Sequence, residues 1–218
     1  SSFCKGNLLI TDDKTAEMIK LTENAFRDLN IAFANELSMI CSDLNLNVDK
    51  VISFANRHPR VDILNPGCGA GGHCIPIDPW FIASKSPKLT SLIQTARAVN
   101  DKKTSWVVKK IKKKALSFKK QNNKVPKIGI FGLTYKPDVE DIRESPALKI
   151  FKNLKKDGFS VTACDPNLER GIFNNESQEQ VLIKSDILVF LVAHSSFSKI
   201  EFSKYEILDF CDITKKCF

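Results

Sequence analysis

No glycine or proline falls between Asp12 and His58, and a stretch of that length without a backbone breaker is built for helix. Thr11, Asp12 and Asp13 offer capping oxygens at its start. From Thr15 to about Asp43, Met18, Ile19, Ala25, Phe26, Leu29, Ala32, Phe33, Leu37 and Ile40 recur at three- and four-residue steps, which predicts one long helix. Leu21, Ile31 and Met39 lie off that stripe, so the helix is expected to be buried on most sides, in a core or at a subunit interface. Lys20 and Asn24, four residues apart, share one face. Either they snorkel and cap neighbours or they point together at one ligand. A shorter helix is expected from Asn47 to Asn56, closed by His58-Pro59-Arg60, and a brief strand from Asn7 to Thr11.

The breakers missing there are concentrated just downstream. Residues 65–80 (NPGCGAGGHCIPIDPW) hold four of the nine glycines, three of the nine prolines and two of the seven cysteines. Glycine lets a ligand approach the main chain closely. Asp78-Pro79 reads as the cap and first turn of a helix, and a thiol just ahead of a helix amino end is favoured as thiolate. Cys74 is therefore the candidate nucleophile on a ligand-cradling loop. The remaining cysteines show no CxxC pair and no alternation with histidine, so no metal site is expected. Their scatter suggests reduced thiols and a cytoplasmic location. No apolar run approaches the roughly 18 residues of a membrane span, and the first ten residues lack a signal-peptide pattern. Residue 1 is Ser, so the chain is expected to be processed or part of something longer.

Pro87 restarts the chain, and Leu89, Leu92, Ile93, Ala96, Val99, Val107, Ile111, Ala115 and Phe118 keep helical spacing. Much of the net charge of +8 comes from Lys102–Lys124, which contains ten lysines. The only aromatics there, Trp106 and Phe118, have core spacing and form no stacking platform, so a solvated helix face is preferred to a nucleic-acid interface. A basic surface also suits a phosphate-bearing substrate. Residues 121–126 read as a linker, which divides the chain into a helical part, 1–124, and a second part, 125–218.

The second part changes character. Strands are expected at Lys127–Gly132, Ser160–Cys164, Asp186–Val192 and Tyr205–Asp209, with a helix capped by Ser145-Pro146 and ended at Gly158. This is a βαβ pattern and predicts an α/β fold: a helical domain followed by a small Rossmann-like parallel sheet. Ligands on such sheets sit at the carboxyl ends of strands, where the 133–143 loop lies. That loop lacks GxGxxG, and so does the whole chain. Lys136 and Arg143 either grip phosphates there or are ordinary loop charges.

Three separated segments, AEMIKLTEN at 16–24, GGHCIPIDPWFI at 71–82 and GLTYKPDVEDIRESP at 132–146, resemble in the same order the nucleotide-sugar 6-dehydrogenases, which include the UDP-glucose and GDP-mannose enzymes. The Trp80-Phe81-Ile82 ending and LIQTARAVND at 92–101 are most similar to the branch acting on UDP-N-acetyl-D-mannosamine. The resemblance implies a helical central dimerisation domain and a C-terminal UDP-binding domain, with the NAD-binding domain not among these residues. It implies oxidation of a sugar C6 alcohol to a carboxylate in two steps, each with NAD, through a cysteine thiohemiacetal and thioester. Carried onto this sequence, Cys74 attacks, Lys20 and Asn24 hold the oxyanion, and Asp78 positions water. Asn65, Gly67, Gly69 and Gly71 cradle the nucleotide sugar, Tyr135 and Lys136 contact it, Arg143 reaches the cofactor, and Arg60 enters a partner subunit's site in a homodimer. No metal, nucleic acid or membrane enters this picture. Two residues depart from the family pattern. Cys68 stands where close relatives carry proline and sets a second thiol near Cys74, which raises the prospect of an oxidised pair. Ile77 stands where the UDP-glucose enzymes carry lysine, which favours an N-acetylated sugar.

Overall fold

The computed structural model describes residue 6, residues 8–201 and residues 205–213. α1 runs Asp13–Asp43, with the Asp12 carboxylate accepting from the Thr15 N–H as its cap. α2 (Val48–Ala55) is capped by the Asn47 side chain. α3 is Asp78–Lys85 and α4 is Ser91–Asn122, ending where Asn123 turns left-handed at φ 49°. Leu8–Ile10 form no strand, and Asn7 lies outside the described residues.

α1 buries its small and polar residues within the chain rather than its large apolar ones. Asn24, Ala25, Asp28, Ala32, Ala34, Asn35, Ser38 and Cys41 are its buried face, while Met18, Ile19, Phe26, Phe33 and Ile40 are exposed. The small residues allow close approach to α4, and the polar ones meet partners there. Asp28 Oδ1 accepts from Arg97 Nη1 at 2.6 Å and from Asn100 Nδ2 at 2.8 Å, and Asn35 Nδ2 donates to Asn100 Oδ1 at 2.9 Å. Burial pushes Asp28 up, and Arg97 and Asn100 oppose that. Of the expected stripe, Ala25 and Ala32 belong to this buried face, whereas these large apolar members are exposed in the single chain.

The second half builds β1 (Ile128–Phe131), α5 (Pro146–Lys156), β2 (Val161–Cys164), α6 (Gln178–Lys184), β3 (Ile187–Phe190) and β4 (Glu206–Asp209). The strands form one parallel sheet in the order β2-β1-β3-β4. Successive side chains of a strand point to opposite faces. Ile128, Ile130, Ile187 and Val189 therefore meet α5 and the second half of α4, through Val107, Ile111 and Ala115. Phe131, Leu188 and Phe190 meet α6 and the short 3-10 turn at Ser195–Lys199. Phe131 stacks on Phe190 with centroids 4.7 Å apart. α4 thus serves both halves: its first turns pack on α1 and its last ones cover the sheet.

Candidate active site

β1 and β3 are sheet neighbours whose onward connections leave in opposite directions, and such a switch point opens a crevice at the strand ends. The crevice is present, with a volume of about 280 Å³. Its walls are the 65–69 segment, the 134–137 loop after β1, and Leu191, Val192 and Ala193 after β3.

The loop after β1 is held from below. Asp165, at the end of β2, accepts from the Leu133 N–H at 2.6 Å and the Thr134 N–H at 3.1 Å. The fully buried His194 lies 3.1 Å from the same carboxylate through Nε2, and its Nδ1 accepts from the Asp138 N–H at 3.0 Å. Since Nδ1 accepts, the ring proton is on Nε2 and points at Asp165. Burial pushes Asp165 up, but His194 and the Leu133 and Asn167 N–H groups outweigh it and hold it below the usual carboxylate range. Asp138 in turn accepts from Ser195 N and Oγ. Asp165 and His194 carry no motif. A lone histidine directly after an all-apolar strand was the only sequence sign of them.

The glycine loop is pinned from above. Asn35 Oδ1 accepts from the Gly67 N–H at 2.9 Å, and Thr104 Oγ1 donates to the Cys68 carbonyl at 2.8 Å. Gly71 and Gly72 have a packing reason. A Cβ on Gly71 would lie 2.8 Å from both Pro146 and Tyr135, and one on Gly72, at φ 94°, would lie 3.0 Å from the Tyr135 ring. The Gly72 N–H donates to the Arg143 carbonyl at 3.0 Å, so the two loops are tied together just before Cys74.

Cys74 is a half-buried free thiol residue whose carbonyl accepts from the Ile77 and Asp78 N–H groups at the entry to α3. Asp78 is not the helix cap that its sequence context suggests. It is the first helical residue, Ile77 holds the cap position without a side-chain bond, and the carboxylate is turned to α1. There Asn24, 7% exposed, donates to Asp78 Oδ2 at 2.6 Å. Three of the four candidate catalytic residues thus come together around one loop. Lys20 does not join Asn24: its ammonium is paired with Glu23 at 3.1 Å on a side chain 65% exposed.

Tyr135 is half-buried against the glycines, with Lys136 Nζ 5.5 Å from its ring. Arg143 is exposed and forks onto Asp141, with Nε 3.0 Å from Oδ1 and Nη2 2.6 Å from Oδ2. That carboxylate raises Arg143, to which Tyr135 and Cys74 add weaker attractions, and Arg143 draws Asp141 down to about 2. Asn65 is exposed on the crevice rim, Gly67 and Gly69 line the wall, and Arg60 is exposed beyond α2. Cys68 and Cys74 are both free. Cys68 is buried with its Sγ 3.6 Å from the Leu191 carbonyl, and burial pushes its thiol up to about 12. Among the described residues no cluster of three or more metal-ligating side chains occurs, and no helix is long and apolar enough to cross a membrane.

Comparison with known proteins fits this architecture. Residues 14–102 match the model of the UDP-glucose/GDP-mannose dehydrogenase family, central domain, and residues 129–213 match that of the same family's UDP binding domain. A UDP-N-acetyl-D-mannosamine dehydrogenase of Campylobacter jejuni is 45% identical over 96% of this chain and 52% of its own length. An NDP-N-acetyl-D-galactosaminuronic acid dehydrogenase of Ralstonia solanacearum is 47% identical over 91% of this chain and 47% of its own. The solved UDP-N-acetyl-mannosamine dehydrogenase Cap5O of Staphylococcus aureus superposes with a TM-score of 0.85 at 41% identity, covering 97% of this chain and 51% of that one. The chain spans about half the length of these relatives.

Proposed function

The chain belongs to the UDP-glucose/GDP-mannose dehydrogenase family, and from that premise we propose that it is the substrate-binding and nucleophile-bearing part of an NAD-dependent dehydrogenase. The substrate proposed is UDP-N-acetyl-D-mannosamine, oxidised at C6 to the carboxylate. The observation that carries this reading is the crevice at the β1/β3 switch point. It is roofed by the glycine loop and floored by Tyr135 and Lys136, and the same loop runs on through Cys74 to Asp78, which accepts from Asn24.

The chain's own residues divide the work. Gly67, Gly69 and the Asn65 rim offer backbone to the nucleotide, and Lys136 meets its diphosphate as a point charge. Cys74 Sγ adds to the C6 aldehyde carbon, and the resulting oxyanion needs preorganised donors. The buried Asn24 amide supplies one. Lys20 supplies another after leaving Glu23, an exposed pair worth no more than about 1 kcal/mol. Asp78 orients and deprotonates the water that releases the acid. NAD fits this chain only at its edge, through the Arg143 guanidinium, because the 218 residues contain no glycine fingerprint for its pyrophosphate. When bound, NAD supplies the hydride acceptor. Residues outside this chain hold the rest of it. The exposed apolar stripe of α1 and Arg60 are read as the dimer face and the residue donated across it.

The test is a panel of nucleotide sugars offered to the full-length protein with NAD. UDP-N-acetyl-D-mannosamine is expected to give two NADH per sugar acid. A preference for the N-acetyl-galactosamine, glucose or GDP-mannose substrates would overturn the sugar assignment. UDP binding without NADH from any substrate would leave a nucleotide-sugar-binding and dimerisation module in place of an enzyme.

A further inference from the structure

Lys103 sits on the face of α4 turned to α1 and is 3% exposed. The lysine-rich stretch is therefore not a uniformly solvated face: this ammonium is enclosed. A buried ammonium is costly unless paired. Among the described residues neither Lys103 nor Lys110, one helical repeat further on, is paired with a carboxylate. Lys103 Nζ instead donates to Ser38 Oγ at 2.5 Å, and Lys110 Nζ to Ser42 Oγ at 2.8 Å. Both pack on the Trp106 ring, whose centroid is 4.3 Å from the first nitrogen and 4.9 Å from the second. Two ammonium groups thus share one aromatic ring, and Lys110 pushes against the charge of Lys103.

Both line a cavity of about 410 Å³ enclosed by α1, α4 and the end of β4. Each ammonium spends one proton on serine and keeps two. Ser38 Oγ is spent, since it also donates to the Asn35 carbonyl at 2.7 Å, whereas Ser42 accepts and keeps its proton to give. The donors that remain, on Lys103, Lys110 and Ser42, belong to residues that line this one cavity. Trp106, Phe210, Leu46, Val48 and Leu208 supply an apolar flank, and Asp49, Asp209 and Asp212, each already engaged elsewhere, complete the lining. We propose that this cavity is a second binding site, for a small phosphate-bearing molecule whose phosphate is held by Lys103, Lys110 and Ser42. The mixed lining favours a compact anionic head on a hydroxylated body over a polyanion. Burial lowers Lys103 to about 8, with Lys110 adding a smaller push, which fits a group waiting for a counter-charge.

The site abuts the substrate crevice, since Pro66 and Gly67 line both. A chain of bonds also joins them: Lys103 to Ser38, Ser38 to the Asn35 carbonyl, and the Asn35 side chain to the Gly67 N–H. An occupant of the second site would bear on the backbone that cradles the substrate.

The test is calorimetric titration of the full-length protein with inorganic phosphate, with and without saturating UDP. The expected result is saturable binding that persists with UDP and weakens at least tenfold in Lys103→Met and in Lys110→Met. Ser42→Ala, on the half-buried rim, is expected to weaken it several-fold with an unchanged melting temperature. That variant keeps the test open if a lysine variant misfolds. Phosphate binding that is absent, that the variants leave unchanged, or that UDP displaces would overturn the proposal. Displacement would place the lysines in the substrate site.

Discussion

Asp78 and Asn24 lie 54 positions apart in sequence, yet their side chains meet at 2.6 Å at the start of the helix that follows the Cys74 loop. Asn24 is buried and fixed, so replacing it removes a donor that costs no reorganisation at the moment of reaction. Asn24→Ala is expected to lower kcat by about 10²–10³-fold with little change in KM, read by steady-state NADH formation on the full-length protein. Lys20→Ala is expected to act on kcat as well, although its ammonium rests on Glu23 in this structure. A change confined to KM would assign Lys20 to binding. The sequence showed that Lys20 and Asn24 share a helix face, but not that one would be buried and the other in water. Burial depends on which elements pack there, and spacing alone does not contain it. The loop that carries Cys74 was legible because glycines and prolines punctuate it, whereas the turn of the Asp78 carboxylate toward α1 was not. Asp165 and His194 were not, because each looks ordinary until β2 and β3 bring them within 3.1 Å.

Helices and strands were mostly legible. α1, α2 and α4 follow from the missing breakers, and Ser145-Pro146 caps α5 as its residues suggest, with Ser145 accepting from the Leu148 N–H. α6 went unread, although Ser177 and Gln180 form a reciprocal capping box, because its seven residues are too few for a periodic pattern. Of the α1 stripe, Ala25 and Ala32 are buried within the chain and the large apolar residues are not. Its large apolar residues are exposed here, including Phe26 at 68%, and a stripe of this kind suits the proposed dimer interface. Phe26→Asp combined with Phe33→Asp is therefore expected to convert a dimer to monomers in sedimentation equilibrium, with helix content by circular dichroism retained. Retention of the dimer would place the interface elsewhere. At the loop, Gly71→Ala would drive a methyl into Tyr135 and Pro146. Overpacking of this kind costs about 1–3 kcal/mol, and here it is expected to raise KM for the nucleotide sugar, because the displaced ring forms the crevice floor.

On the scale of the whole molecule, the α/β class and the parallel sheet follow from apolar strands alternating with a capped helix. The sharing of α4 between the two halves does not, since a helix carries no mark of how many bodies it serves. Its buried Lys103 has a consequence for stability. The group falls from an ordinary 10.5 to about 8 in the folded chain, chiefly through burial. Below pH 8 it is charged in both states, and the cost of enclosing it is present in full. As pH rises toward 10.5 the folded group is neutral while the unfolded one still holds its proton, so that cost fades. Lys103→Met is therefore expected to stabilise the protein near pH 7 by on the order of 1–3 kcal/mol, with the gain shrinking above pH 8. Denaturant melts at both pH values check this, and a loss of stability at pH 7 would mean that Ser38 and Trp106 compensate the charge fully.

The proposed reaction runs through one thiol, so the most direct measurement concerns Cys74. The full-length Cys74→Ser protein, given UDP-N-acetyl-D-mannosamine and NAD, is predicted to bind the nucleotide sugar normally and to form no sugar acid. Acid formation at the wild-type rate by that variant would contradict the account.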